Sequence, residues 1–181
     1  MRILLVYASK HGTAETCAER LEQELCGGNS IVRVNLEREA DISELDAFDA
    51  VVVGSSVYFG KIRPAAKNFL TEHADTLQKK PLGLFLVCGL TNEYEYYRDK
   101  LLPKDLREHA FFTVYFGGSL STQGLSFPER WLVKSMRAAI FEENMEDGEY
   151  TPTLPSILPE NIDRMATYLR REIEHLSDLK G

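Results

Sequence analysis

Ser9, Thr13 and Thr16 set hydroxyls close together around Gly12, directly after the apolar run Ile3-Leu4-Leu5-Val6-Tyr7-Ala8. The segment Ser9-Lys10-His11-Gly12-Thr13-Ala14 offers neutral donors and backbone N–H groups where a helix is about to begin. Unsatisfied donors and the positive end of the macrodipole make such a junction a place for an anion. A terminal phosphomonoester fits it. The loop matches neither G-x-x-x-x-G-K-[ST] nor G-x-G-x-x-G, so the triphosphate and dinucleotide fingerprints are excluded at this strand. The plainer alternative is a capped helix with Thr13 as its N-cap.

A second cluster, Gly54-Ser55-Ser56-Val57-Tyr58-Phe59-Gly60-Lys61, combines small residues with aromatics. Tyr58 or Phe59 can stack on a planar ring, Gly60 lets backbone approach it, and Ser55 and Ser56 can reach polar substituents. Taken singly, either aromatic is as well explained by a core position. A third stretch, Cys88-Gly89-Leu90-Thr91-Asn92, supplies amides and polar side chains suited to a ring edge. Cys88, at a buried strand end, reads as a small hydrophobe before it reads as a redox thiol.

Periodicity identifies the elements that must position these residues. Ile3 to Ala8 is apolar without alternation, as in a strand covered on both faces. Thr13 to Leu25 carries Ala14, Cys17, Ala18, Leu21 and Leu25 at a helical period and ends at Gly27-Gly28. Ser30 to Leu36 alternates as a strand near a sheet edge, and the acidic stretch Glu37 to Asp49 is a loop or short helix. Further strands are expected at Ala50–Gly54, Pro81–Cys88 and Ala110–Phe116, the last ending in Gly117-Gly118. Helices are expected from Pro64 to about His73, over Tyr94–Leu101, over Phe127–Phe141 and over Pro159–Leu176. Strands alternating with helices at this spacing imply an α/β fold with a doubly wound, five-stranded parallel sheet in the order 2-1-3-4-5. Ligands then bind at the carboxyl ends of the strands, beside the reversal between the first and third. The loops after Ala8, Gly54 and Cys88 all lie there.

A length of 181 residues with 44% hydrophobic and 27% charged residues suits one well-cored domain over residues 1–181 and excludes a disordered chain. A net charge of −7 argues against nucleic acid as a partner. The three cysteines have no C-x-x-C spacing and the four histidines no paired spacing, so no metal site and no disulfide framework are expected. No apolar run has the length of a transmembrane span. A cytoplasmic protein is expected, with membrane contact at most peripheral to the inner membrane.

Together, Ser9 to Ala14, Ser55 to Gly60 and Cys88 to Asn92 resemble the flavodoxin family over nearly the whole chain. The resemblance implies FMN as cofactor, with its phosphate in the first loop and its isoalloxazine ring between the other two. The phrase Gly54-Ser55-Ser56-Val57-Tyr58-Phe59-Gly60-Lys61, the helix after it, and the helix containing Arg130-Trp131 are similar to the flavodoxin-type, menaquinone-dependent protoporphyrinogen oxidase family. That likeness implies oxidation of a porphyrinogen and transfer of electrons to a quinone. The segment between Cys88 and Phe111 departs from that family: it is shorter and carries Glu93, Tyr94, Glu95, Tyr96 and Tyr97 where those members have a basic insertion.

Lys61 and Arg63 are the candidate catalytic residues. Both stand just before Pro64, where positive charge opposes the macrodipole, so a ligand carboxylate or quinone would give them a reason to be there. Solvated loop charge is the alternative. The helix Phe127–Phe141 carries Arg130, Lys134 and Arg137 beside Trp131, Met136 and Ile140, a pattern that suits an anionic membrane surface or an ordinary sheet-covering helix. Three functions follow: an FMN oxidoreductase with a quinone or similar acceptor, a flavodoxin-type carrier with a protein redox partner, and a flavin-free binding module. The aromatic surface at Tyr94–Tyr97 is a candidate interface for a homodimer.

Overall fold

The computed structural model describes residues 1–38, 42, 44–89, 94–118, 130–131, 133–135 and 156–180. Strand β1 (Arg2–Ala8) has its residues from Ile3 onward buried on both faces, as an apolar run without alternation requires. It pairs in parallel with β2 (Ser30–Asn35) on one side and β3 (Ala50–Tyr58) on the other. β5 (Leu82–Val87) and β6 (Phe112–Tyr115) extend the sheet beyond β3, while β4 (Lys61–Ile62) pairs antiparallel with the end of β3. The order is β2-β1-β3-β5-β6, which is the expected 2-1-3-4-5 when the parallel strands alone are counted.

Successive residues of β1 feed two separate cores. Ile3, Leu5 and Tyr7 pack with α1 (Thr13–Leu25) and the C-terminal helix α6 (Pro159–Lys180). Leu4, Val6 and Ala8 face α2 (Pro64–Glu72), α3 (Ala74–Leu77), α4 (Tyr94–Leu101) and α5 (Lys104–His109). In α1 the buried residues are Ala14, Cys17, Ala18, Leu21 and Leu25, the stripe that the sequence period picks out. Full burial of Leu21 or Leu25 contributes about 1.5–3 kcal/mol each. Phe85 stacks on Phe116 with centroids 4.4 Å apart and its ring lies against Gly54, where an added Cβ would stand 1.9 Å from the Phe85 ring. Glycine at that point lets the two central strands carry a large aromatic without parting.

The structure departs from the sequence reading in local ways. β3 runs on to Tyr58 instead of stopping at Gly54, because Ser55 still pairs with Ala8 and Leu86 and the last residues of the strand find partners in β4. The helix from Pro64 ends at His73 as expected, but a further short helix, α3, begins directly after it. Helix α5 was not expected, whereas the short helix allowed for within Glu37–Asp49 is a single 3-10 turn at Leu45–Ala47. Of the expected helix Phe127–Phe141, residues 130–131 and 133–135 are described and helical; Val133 is buried, whereas Trp131 is 66% exposed rather than on a covered face. Its remaining residues lie outside the described set, as do Leu90, Thr91 and Asn92. No described helix is long and apolar enough to cross a membrane.

Candidate functional site

The loop from Ser9 to Gly12 leaves the carboxyl end of β1 and turns into α1. Gly12, at φ +88°, is the N-cap, so Thr13 is the first helical residue rather than the cap. The helix's first hydrogen bond runs from Thr16 N–H to the Gly12 carbonyl at 2.9 Å. The N–H groups of Thr13, Ala14 and Glu15 therefore have no acceptor within the helix. Thr16 Oγ1 donates to the Gly12 carbonyl at 3.2 Å and so turns back along the helix. Ser9 is buried, and its Oγ accepts from Gly12 N–H at 3.2 Å, which fixes the loop's curvature.

What holds this loop comes from the strand beside it. Asn35, the last residue of β2, accepts from Ser9 N–H at 3.3 Å and donates to the Ser9 carbonyl at 3.2 Å. Both residues are buried, so an unpaired Ser9 amide would cost free energy on the scale of a lost hydrogen bond. The next residues reach in opposite directions. Glu37 forms a two-pronged pair with Arg63, Nε to Oε1 at 2.6 Å and Nη2 to Oε2 at 3.3 Å, while Arg38 forms one with Glu15 at 3.0 and 3.2 Å. Periodicity gives no sign of these braces. Asn35 meets Ser9 only through the β1–β2 register, which sets Tyr7 opposite Asn35.

The second cluster stands across β1 from that brace. Tyr58-Phe59-Gly60-Lys61 is a two-residue hairpin whose central residues both have positive φ, 50° at Phe59 and 70° at Gly60. That is the backbone sense of the primed turns favoured between twisted strands. Gly60 adopts it freely, but a bulky residue such as Phe59 does so under strain. Phe59 is nevertheless 58% exposed, with its edge to Tyr58 at 4.4 Å. His11 lies 5.6 Å from the Tyr58 ring, so the anion loop and the aromatic hairpin are neighbours. Ser55 Oγ donates to the Ser56 carbonyl and accepts from Arg63 N–H, and Ser56 Oγ donates to the Ala8 carbonyl. Val57 pairs with Ile62.

Lys61 is exposed and makes no ion pair among the described residues, whereas Arg63 is committed to Glu37. That pairing supplies a structural reason for Arg63 that its position before a helix does not. At the third loop, Cys88 is buried and its N–H donates to the Gly117 carbonyl at 2.9 Å. Gly118 lies so close that a Cβ there would be 2.3 Å from the Cys88 carbonyl oxygen. The glycine pair after β6 thus pins the exit of β5 on the way to Gly89.

The flank beyond is aromatic. Tyr94 packs on Tyr115 at 4.7 Å, Tyr97 is buried, and Tyr96 is 55% exposed. The Tyr94 hydroxyl is buried with no hydrogen-bond partner among the described residues. Burial pushes this phenol up to about 12; the Arg98 charge opposes the rise, and Cys88, Asp99 and Glu95 add to it. On the other flank Tyr7 is raised as well, first by burial and then by the Glu15 charge.

The site is thus an anion-ready helix start next to an exposed aromatic hairpin, at the carboxyl ends of β1 and β3 where the winding reverses. The sequence model of the flavodoxin domain family matches residues 4–146. Protoporphyrinogen IX dehydrogenase [quinone] of Escherichia coli strain K12 is 23% identical over 186 aligned positions, covering 98% of this chain and 97% of that protein. The flavodoxin of Synechococcus elongatus is 42% identical over 53 residues, 29% of this chain and 31% of that protein. The solution structure of two-electron reduced Megasphaera elsdenii flavodoxin is alike in fold, with a TM-score of 0.52 at 17% identity over 76% of this chain and 98% of that one.

Proposed function

From the premise that the chain belongs to the flavodoxin domain family, we propose that it is an oxidoreductase that passes electrons through FMN to a quinone or similar acceptor, in the manner of a menaquinone-dependent protoporphyrinogen oxidase. FMN is the cofactor. The observation that carries the reading is the contact of His11 with Tyr58, which joins a neutral anion loop to an exposed aromatic hairpin within reach of one ligand bearing both a phosphate and a flat ring. The likeness to the Escherichia coli dehydrogenase over 98% of this chain favours the acceptor and substrate class.

When bound, FMN supplies the one- and two-electron transfer, and the protein supplies binding, orientation and electrostatics. The N–H groups of Thr13 and Ala14, with the hydroxyls of Ser9 and Thr13, would hold the phosphate, and Lys10, His11 and Gly12 would shape the loop around it. Ser55 and Ser56, whose hydroxyls fix the local backbone, would line the ribityl chain. Val57, Tyr58, Phe59 and Gly60 offer one face and the carbonyl acceptors of the turn. Cys88 and Gly89 would offer the opposite edge, and Leu90, Thr91 and Asn92 are assigned with them from the sequence alone. Lys61 brings a positive charge for an anionic group on the substrate or acceptor, and Arg63 holds the hairpin base in register through Glu37.

The test is anaerobic oxidation of a porphyrinogen by FMN-loaded protein with a menaquinone analogue as acceptor. Turnover that depends on both flavin and quinone is expected, and FMN-loaded protein without any porphyrinogen oxidation removes the substrate assignment. The acidic net charge of −7 favours a second reading, a carrier that serves a protein reductase. Separate one-electron stages in a redox titration, together with rapid exchange with such a reductase, would support the carrier.

A further inference from the structure

Resting on the FMN reading, we propose that Arg38 sets the preference of the Ser9–Thr13 loop for a phosphorylated flavin, acting through Glu15 as an electrostatic positioning residue. Glu15 lies in the first turn of α1, on a residue whose own N–H is one of the donors that the helix leaves open. Its carboxylate suits the helix dipole but repels a phosphate dianion at the same end. The carboxylate is not free to swing away. Oε1 accepts from Tyr7 Oη at 3.3 Å and from Arg38 Nη1 at 3.0 Å, and Oε2 accepts from Arg38 Nη2 at 3.2 Å. Arg33 Nη1 in turn donates to Tyr7 Oη at 3.1 Å, and Arg33 pairs with Glu22 at 2.7 Å and Glu19 at 3.4 Å. Glu19 and Glu22 are themselves on α1, so the chain of contacts closes on the helix that carries Glu15 and fixes where its charge stands.

Arg38 is the outermost member, with a side chain 67% exposed against 21% for Glu15. An ion pair so open to water adds little to the stability of a fold. Its charge still acts at the loop's end, because Glu15, to which it is bonded at 3.0 Å, stands in the first turn of α1, and screening acts only over a Debye length of about 8–10 Å. With Arg38 in place, the fixed Glu15 charge is cancelled where the phosphate must sit. Without it, the loop faces a phosphate dianion with a bare carboxylate beside its donors. An uncharged ribityl end feels no such difference, so the pair discriminates between FMN and riboflavin.

Fluorescence titrations with FMN and with riboflavin test this in wild-type protein, Arg38→Gln, Arg38→Lys and the double variant Arg38→Gln/Glu15→Gln. Arg38→Gln is expected to weaken FMN about fivefold at low salt while riboflavin stays within about twofold, on the scale of one partly screened charge. The loss should shrink at about 0.5 M salt, where screening is nearly complete. Arg38→Lys should keep the FMN preference, and the double variant should regain it. An Arg38→Gln protein that loses both flavins equally, or whose affinity ratio does not move, overturns the proposal. Wild-type protein that binds neither flavin overturns the FMN reading and this inference with it. A wild type with normal FMN binding and an unmoved ratio in Arg38→Gln overturns this inference alone.

Discussion

On the β2 side of β1, polar side chains are tied to one another and to the backbone: Asn35 to both ends of the Ser9 peptide unit, Glu37 to Arg63, Arg38 and Tyr7 to Glu15. On the β3–β5 side, aromatic side chains gather: Tyr58 with Phe59, and Tyr94 with Tyr115. Phe59 stands exposed in a left-handed turn, and the Tyr94 hydroxyl is buried with no hydrogen-bond partner among the described residues. On the first flank the loop is braced while the first N–H groups of α1 stay open toward an anion; the second holds a strained turn and, among the described residues, an unmet donor. A phosphate has one shape and charge, so its loop gains from being ordered in advance. A ring face and an electron partner need open apolar surface, which the fold provides at a small cost in stability.

The contrast can be broken most severely at Asn35. Asn35→Ala removes both bonds to Ser9 and leaves a buried N–H and carbonyl unmet, so denaturant unfolding should show a loss of about 2–3 kcal/mol. FMN affinity should fall about tenfold or more, and riboflavin affinity by less. Equal losses for the two flavins would show that the brace supports the whole site instead of its phosphate end.

Phe59→Gly should do the opposite. Relief of the left-handed strain is expected to stabilise the fold by about 1 kcal/mol. Loss of the stacking face should weaken FMN and riboflavin alike by about 1 kcal/mol, read by fluorescence titration. A loss of stability in this variant would mean that Phe59 is a packing residue. Glu37→Gln, which unlinks β2 from Arg63, should lower stability by about 1 kcal/mol, since both side chains are mostly buried at 24% and 20% exposure.

Tyr94→Phe should have the smallest effect, leaving stability unchanged or raised by up to about 1 kcal/mol because the hydroxyl it removes has no partner. The pH profile is more telling. A tyrosine in the unfolded chain ionises near pH 10, whereas Tyr94 in the folded protein does so only at about 12. The folded state keeps its proton longer, so stability should fall between about pH 10 and 12. Tyr94→Phe should soften that fall in urea titrations, and an identical alkaline slope would mean that the phenol is bonded in solution.

Much of the framework follows from local pattern. The unbroken run in β1, the α1 stripe and the alternation of strands with helices suffice for the sheet order, and the hydroxyl-rich loop after Ala8 does lead into a helix N-terminus. Other features escape because they rest on partners remote in the chain. β3 reaches Tyr58 since strands on either side still offer ladder bonds, and an isolated segment reads Gly54-Ser55-Ser56 as a loop. Arg63 looks unexplained beside Pro64 until Glu37 is brought to it from the far side of β1.

Residue type and short-range period were enough for the α/β alternation, the hydroxyl-rich start of α1 and the aromatic character of the Tyr58-Phe59 turn. Only the fold brings Asn35 and Arg38 to the loop and the first turn of α1, and Glu37 to Arg63 at the base of the hairpin. The parallel register between β1 and β2, enforced by burial of both faces of β1, is what brings those side chains to Ser9, Arg63 and Glu15.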